Sequence, residues 1–153
     1  MLYASEGELD EEPATPPDVW RSLVRRPGDA LTIVTYGGTL PKALKAAELL
    51  AAEGIEAEVI DLRCLRPLDL DPVLQSVHRT KRVLVTDETW TTGGQAGEIV
   101  AQIAERGFFD LDAAPVRVCS LEVPVPYAAH LEQAALPQAE RIARAARALV
   151  GHG

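Results

Sequence analysis

Apolar residues follow two rhythms along this chain. Short unbroken β-branched runs alternate with longer stretches in which apolar side chains recur every three or four positions. Ala30–Tyr36 (ALTIVTY) is an unbroken run, the pattern of a strand covered on both faces. Leu40, Ala43, Leu44, Ala47, Leu50 and Ala51 then form one stripe and predict a helix over 39–53. Thr39 is the expected N-cap, Pro41 lies in the first turn and Gly54 is the stop. The same reading places strands over 56–60, 82–86 and 116–119. It places helices over 71–80, from the Gly93-Gly94 pair to Arg106, and over 136–150. Val19–Arg25 is a further short strand, closed by an Arg26-Pro27-Gly28-Asp29 turn.

Strands alternating with helices across short loops predict an α/β domain, a mostly parallel sheet with helices on both faces. In such a sheet, ligands and partners gather outside the carboxyl ends of the strands. Four loops qualify: Tyr36–Leu40, Asp61–Asp69, Asp87–Gly97 and Ser120–Tyr127.

Charge divides the chain unevenly. The net charge is −8, yet residues 1–18 hold six acids and no Lys or Arg, leaving 17 acids against 15 bases in the rest. Residues 1–18, with Pro13, Pro16 and Pro17, read as an acidic linker or arm. The domain is expected over 19–150 and a tail over 151–153. No basic field suited to nucleic-acid phosphates appears. No apolar run approaches the ~20 residues of a membrane span, and no signal-peptide pattern opens the chain. Cys64 and Cys119 lack metal or redox spacing and read as reduced thiols, so the cytoplasm is the expected compartment.

The candidate chemistry is thin. Tyr36-Gly37-Gly38-Thr39 could offer amides to an anion, with Asp61 in the place of a ribose-binding acid. Leu40, Pro41 and Lys42 depart from the dinucleotide fingerprint. A phospho-receiver would need further carboxylates beside Asp61 to hold a cation, and Thr35-Tyr36-Gly37 supplies none. Asp87-Glu88 is the only adjacent acidic pair at the carboxyl edge. It suits acid–base work if burial separates the two pKa values, and capping a loop or meeting an Arg otherwise. His78, His130 and His152 do not cluster. Arg141, Arg144 and Arg147 make a solvated stripe, or a contact for an acidic partner or the acidic arm. No catalytic constellation and no metal-ligand spacing emerges.

One ordered series of motifs narrows this picture. It comprises Leu31–Gly37, Gly54–Arg63, Arg66-Pro67-Leu68-Asp69, Asp87-Glu88 with Thr92-Gly93-Gly94, Gly97-Glu98-Ile99, and Val123–Ala128. From about Val19 to Val150 the chain resembles the transketolase C-terminal domain. The likeness is to the form found in β subunits of pyruvate, branched-chain 2-oxo acid and acetoin dehydrogenases. The resemblance implies a three-layer α/β/α domain whose five-stranded mixed sheet has its first strand antiparallel. It implies an assembly and dimerisation module of a thiamine-diphosphate-dependent 2-oxo acid dehydrogenase, which is not catalytic alone. Implied partners are a second copy, a dehydrogenase α subunit and the dihydrolipoyl acyltransferase core. Expected contact residues are Asp61, Arg63, Pro67, Asp69, Thr92, Gly93, Gly94, Pro124, Pro126 and Tyr127.

Three departures from the family pattern stand beside the resemblance. The pyrimidine-binding domain that precedes this one in family β subunits has no counterpart here, nor has the Gly-Asp-Gly…Asn motif for diphosphate and Mg²⁺. Family β chains commonly carry His where this chain has Asp87. No catalytic, cofactor or metal residue is therefore carried over; thiamine diphosphate and Mg²⁺ are implied only for a complete enzyme. The alternative is a stand-alone doubly wound domain binding a nucleotide or other small ligand at Gly37-Gly38.

Overall fold

The computed structural model describes residues 18–151. The expected arm lies outside the described residues except for Asp18, as does the tail beyond Gly151. Five strands form one sheet: β1 (Leu23–Arg26), β2 (Leu31–Thr35), β3 (Ala57–Asp61), β4 (Val83–Trp90) and β5 (Val116–Ser120). Their order is β1-β3-β2-β4-β5, with β1 antiparallel to β3 and the other pairs parallel. Helices α1 (Leu40–Ala51), α2 (Asp71–Thr80) and α3 (Gln95–Gly107) connect the parallel strands, and α4 (Ala129–Ala135) and α5 (Ala139–Val150) follow β5.

The side-chain period of two divides the strand residues between two cores. Leu31, Ile33, Ala57, Val59, Leu84 and Val118 pack with α1 and α5. Val34, Ile60, Val83, Val85 and Cys119 pack with α2 and α3. The two helix layers leave β2 and β3 wholly buried, which explains the unbroken run read over β2. Polar exceptions within these strands are matched. Thr32 Oγ1 bonds to Ser76 Oγ at 2.6 Å and Thr80 Oγ1 at 2.7 Å. Glu58 receives Arg79 Nη2 on both carboxylate oxygens at 2.7 Å.

Several boundaries differ from the sequence expectation. Residues 19–22 are not strand: Asp18 Oδ1 accepts the Trp20 amide and the Asp18 carbonyl accepts that of Arg21. Ser22 is drawn instead to Asp69, through its amide at 3.1 Å and its hydroxyl at 2.6 Å. Arg26 belongs to β1 rather than to the turn, paired with Val59. Gly28 in that turn lies so close to the Ala57–Glu58 backbone that no Cβ would fit.

Thr39 does not cap α1. Its buried hydroxyl donates to the Tyr36 carbonyl at 2.8 Å, within the 3-10 turn Gly37–Thr39. The last helix starts at Ala139 rather than 136, because Leu136 is extended before Pro137. The seven-residue α4, not expected from the sequence, fills the space before it. Of the arginine stripe, Arg147 is paired with Glu53 at the end of α1, at 2.6 and 2.8 Å.

Candidate functional site at the carboxyl edge

The chain leaves β2 for α1 on one face of the sheet and leaves β4 for α3 on the other. The carboxyl ends of β2 and β4 are adjacent and therefore form the topological switch point, the usual ligand crevice of an open α/β sheet. Here the crevice holds the protein's own side chains. The Glu88 carboxylate stands over Gly38, where a Cβ would come within 2.9 Å of its oxygens, and Lys42 Nζ meets it at 3.2 Å. An anion approaching the Gly37-Gly38 amides would meet this carboxylate first.

β4 runs four residues past the expected Thr86 and does so irregularly. Four steps from Thr86 to Trp90 span only two steps of β5, Val118 to Ser120. Such a bulge re-aims side chains at a strand end, and Asp87 and Glu88 occupy it. Thr86 Oγ1 donates to the Val118 carbonyl at 2.8 Å and Ser120 Oγ to the Glu88 carbonyl at 2.7 Å, tying the bulge to β5.

Asp87 is wholly buried and accepts four hydrogen bonds. Thr89 donates its amide at 2.8 Å and its hydroxyl at 2.7 Å to Oδ1. The Ala96 amide, in the first turn of α3, donates to Oδ2 at 2.9 Å, and the Tyr36 hydroxyl donates to Oδ2 at 3.1 Å. One carboxylate thus joins β2, the β4 bulge and the start of α3. Of the roles open to the acidic pair in sequence, Asp87 fills loop capping and Glu88 an ion pair. Burial, then the Asp87 charge, pushes the Tyr36 phenol well above its usual range. Burial, again followed by Asp87, raises the Cys119 thiol, so it has no thiolate character at neutral pH.

The expected contact residues fall into two groups. Thr92, Gly93 and Gly94 lie on the loop after β4, and Pro124, Pro126 and Tyr127 on the loop after β5. The Thr92 amide donates to Glu122 Oε1 at 2.9 Å, and Arg117 Nη1 donates to the Thr91 carbonyl at 2.8 Å. Hydrogen bonding from Thr92, by side chain and then backbone, holds the Glu122 carboxyl below its usual range. Gly93 has φ +70°, and Gly94 sits against the Trp90 carbonyl with no room for a Cβ.

Asp61, Arg63, Pro67 and Asp69 lie beyond β3, separated from the first group by β2, with β3 and β4 ~10 Å apart at ordinary strand spacing. Asp61 Oδ1 accepts the Arg63 amide at 3.1 Å, and Arg63 has φ 57°. Asp69 accepts the Asp71 amide at 3.2 Å as well as Ser22, and the Arg66-Pro67 peptide is cis.

Sequence reasoning missed the apolar character of the first group. Trp90, Leu121, Val123, Val125 and Leu131 are exposed beside a fully exposed Tyr127. Exposed apolar side chains gathered on neighbouring loops suit a surface that meets another molecule. The signal was present in Val123-Pro124-Val125-Pro126-Tyr127, where prolines exclude a central strand and no polar residue intervenes.

Among the described residues, no three His, Cys, Asp or Glu side chains gather as a metal site. Asp87 has its oxygens occupied and Glu88 would repel a diphosphate. These residues do not fit a diphosphate–cation pair. No helix of the described residues is long and apolar enough to cross a membrane.

The family described as transketolase, C-terminal domain matches residues 21–142. Pyruvate dehydrogenase E1 component subunit beta-1, mitochondrial, of Arabidopsis thaliana is 44% identical over 94% of this chain and 39% of its own length. The acetoin:2,6-dichlorophenolindophenol oxidoreductase subunit beta of Cupriavidus necator is 45% identical over 95% of this chain and 43% of its own. The chain thus spans about two fifths of these relatives. Among solved structures, a split-gene transketolase described as an inactive β4 tetramer superposes with TM-score 0.75 at 28% identity, over 92% of this chain and 45% of that one. The motif order, the reversed first strand and the match over residues 21–142 lead to one conclusion: the chain belongs to the transketolase C-terminal domain family.

Proposed function

We propose that this chain acts as the C-terminal assembly module of a thiamine-diphosphate-dependent 2-oxo acid dehydrogenase β subunit. It supplies contact surface to an oxidoreductase whose chemistry resides elsewhere. The observation that carries this reading is the carboxyl edge itself. Its deepest carboxylate, Asp87, is spent on four internal hydrogen bonds, while Trp90, Leu121, Val123, Val125 and Tyr127 stand exposed beside it. A second copy and a dehydrogenase α subunit are the proposed partners at this edge, and the dihydrolipoyl acyltransferase core is a further one. Thiamine diphosphate and Mg²⁺ belong, in this reading, to the complete assembly. The proposed compartment is the cytoplasm, on the reduced state of Cys64 and Cys119.

Calorimetric titration of the purified chain with thiamine diphosphate and Mg²⁺, paired with a decarboxylation assay on 2-oxo acids, tests the division of labour. The expected result is no heat of binding and no turnover. Saturable binding or turnover by the chain alone would refute it. The second reading, nucleotide binding at Gly37-Gly38, is disfavoured by Glu88 standing over the turn. Titration with adenine, nicotinamide and flavin nucleotides decides it.

A further inference from the structure

One peptide group on the contact edge carries two charges of opposite sign. Arg117 Nη1 donates to the Thr91 carbonyl and Glu122 Oε1 accepts the Thr92 amide, and these two backbone groups belong to the same peptide. The only cis peptide among the described residues is Arg66-Pro67, so the Thr91–Thr92 peptide is trans and its carbonyl and amide point in opposite directions. The guanidinium and the carboxylate are thereby held on opposite sides of the turn. Both side chains are exposed, and among the described residues neither forms an ion pair. Glu88 on the same edge is, by contrast, matched inside the chain by Lys42.

Apolar residues adjoin both charges. Trp90 precedes the Thr91–Thr92 peptide, and Leu121 and Val123 bracket Glu122; all three are exposed. A partner that covers this surface must supply an anion for Arg117, a cation for Glu122 and apolar area beside them. A second copy of the same surface supplies all three, because a two-fold interface brings residue i against j and j against i. We propose that the carboxyl-edge contact joins two copies of this chain about a two-fold axis, with Arg117 of each copy facing Glu122 of the other. This rests on the assembly reading and narrows it, by fixing the partner at this edge as a second copy. Each charge is already held by the Thr91–Thr92 backbone before contact, which reduces the ordering cost of association. The exchange also selects the register, since a contact that sets like charge against like is costly.

Sedimentation equilibrium on the full chain tests the exchange with two variants, Arg117→Glu and Glu122→Arg. Each variant alone sets like charges against each other at both contacts, and is expected to weaken self-association about tenfold or more. An equimolar mixture of the two restores opposite charges at both contacts, and is expected to associate several-fold more tightly than either variant alone. Far-ultraviolet circular dichroism checks that both variants are folded. Raising the salt to about 1 M, where the screening length is ~3 Å, is expected to weaken association of the unmodified chain, a readout that needs no substitution. Variants that associate as the unmodified chain does, or an unmodified dimer indifferent to salt, would overturn the exchange and leave the assembly reading standing. Weakened variants that do not recover on mixing would overturn it too, because the two charges would then act only within each chain. An unmodified chain that stays monomeric would remove both readings.

Discussion

Asp87 shows how a residue that reads as chemistry in sequence serves as architecture in the fold. Its four donors come from three separate pieces of chain, and all depend on one buried carboxylate. Asp87→Ala leaves the Ala96 and Thr89 amides without an acceptor, and is expected to cost about 3 kcal/mol in urea denaturation. Tyr36→Phe removes only one donor and is expected to cost about 1 kcal/mol. Tyr36 also sets a pH dependence. Its folded pKa lies above the unfolded one, so the folded state retains a proton that the unfolded chain has released. Stability is therefore full below about pH 10, the ordinary phenol value, and falls as pH rises further. In an ultraviolet phenolate titration, Tyr36→Phe is expected to abolish the late phase and flatten the alkaline loss of stability. A wild-type late phase surviving in the variant would contradict this.

At the scale of elements, the β4 bulge, the Thr92–Gly94 turn and the Ser120–Tyr127 loop form one unit held by a few polar bonds. Glu122 is the link between the two loops, and its carboxyl is held below the usual range by Thr92. That link is present above the ordinary glutamate range and lost as pH falls below it. Glu122→Ala is expected to speed hydrogen exchange at the Thr92 amide at neutral pH, while wild type shows the same loosening only in acid. Gly94→Ala would push a methyl group into the Trp90 carbonyl, and is expected to destabilise by about 2 kcal/mol or more through forced backbone displacement.

Elements bounded by a strong signal were legible beforehand. The β2 run and the stripe of α1 are two, and α2 lay over 71–80 as read. Elements set by tertiary contact were not. Ser22 leaves the strand for Asp69, and the bulge carries β4 on to Trp90. The short α4 has too few residues to show a periodicity, though Pro137 marked where α5 could not yet have begun. The family motifs named the loops expected to make contacts. Their division into two groups, and the apolar patch beside one of them, required the strand order.

For the whole molecule, the sheet offers two unlike surfaces at its ends. One, on the loops after β4 and β5, carries exposed apolar side chains; the other, at β1 and the loop after β3, carries exposed arginines. Among the described residues neither surface gathers three metal-ligating side chains, and the switch-point crevice is occupied by Tyr36, Glu88 and Lys42. This distribution is that of a part made to be joined. The apolar patch should therefore govern association without governing folding. Val125→Asp places a charge on a 64% exposed side chain, and is expected to leave thermal stability within about 0.5 kcal/mol of wild type.

Light scattering coupled to size-exclusion chromatography across a range of concentrations tests the assembly account most directly. The account predicts a species of twice the 16.5 kDa chain mass that Val125→Asp converts to a folded monomer. A chain that remains strictly monomeric at the highest concentrations, or a dimer indifferent to Val125→Asp, would contradict it.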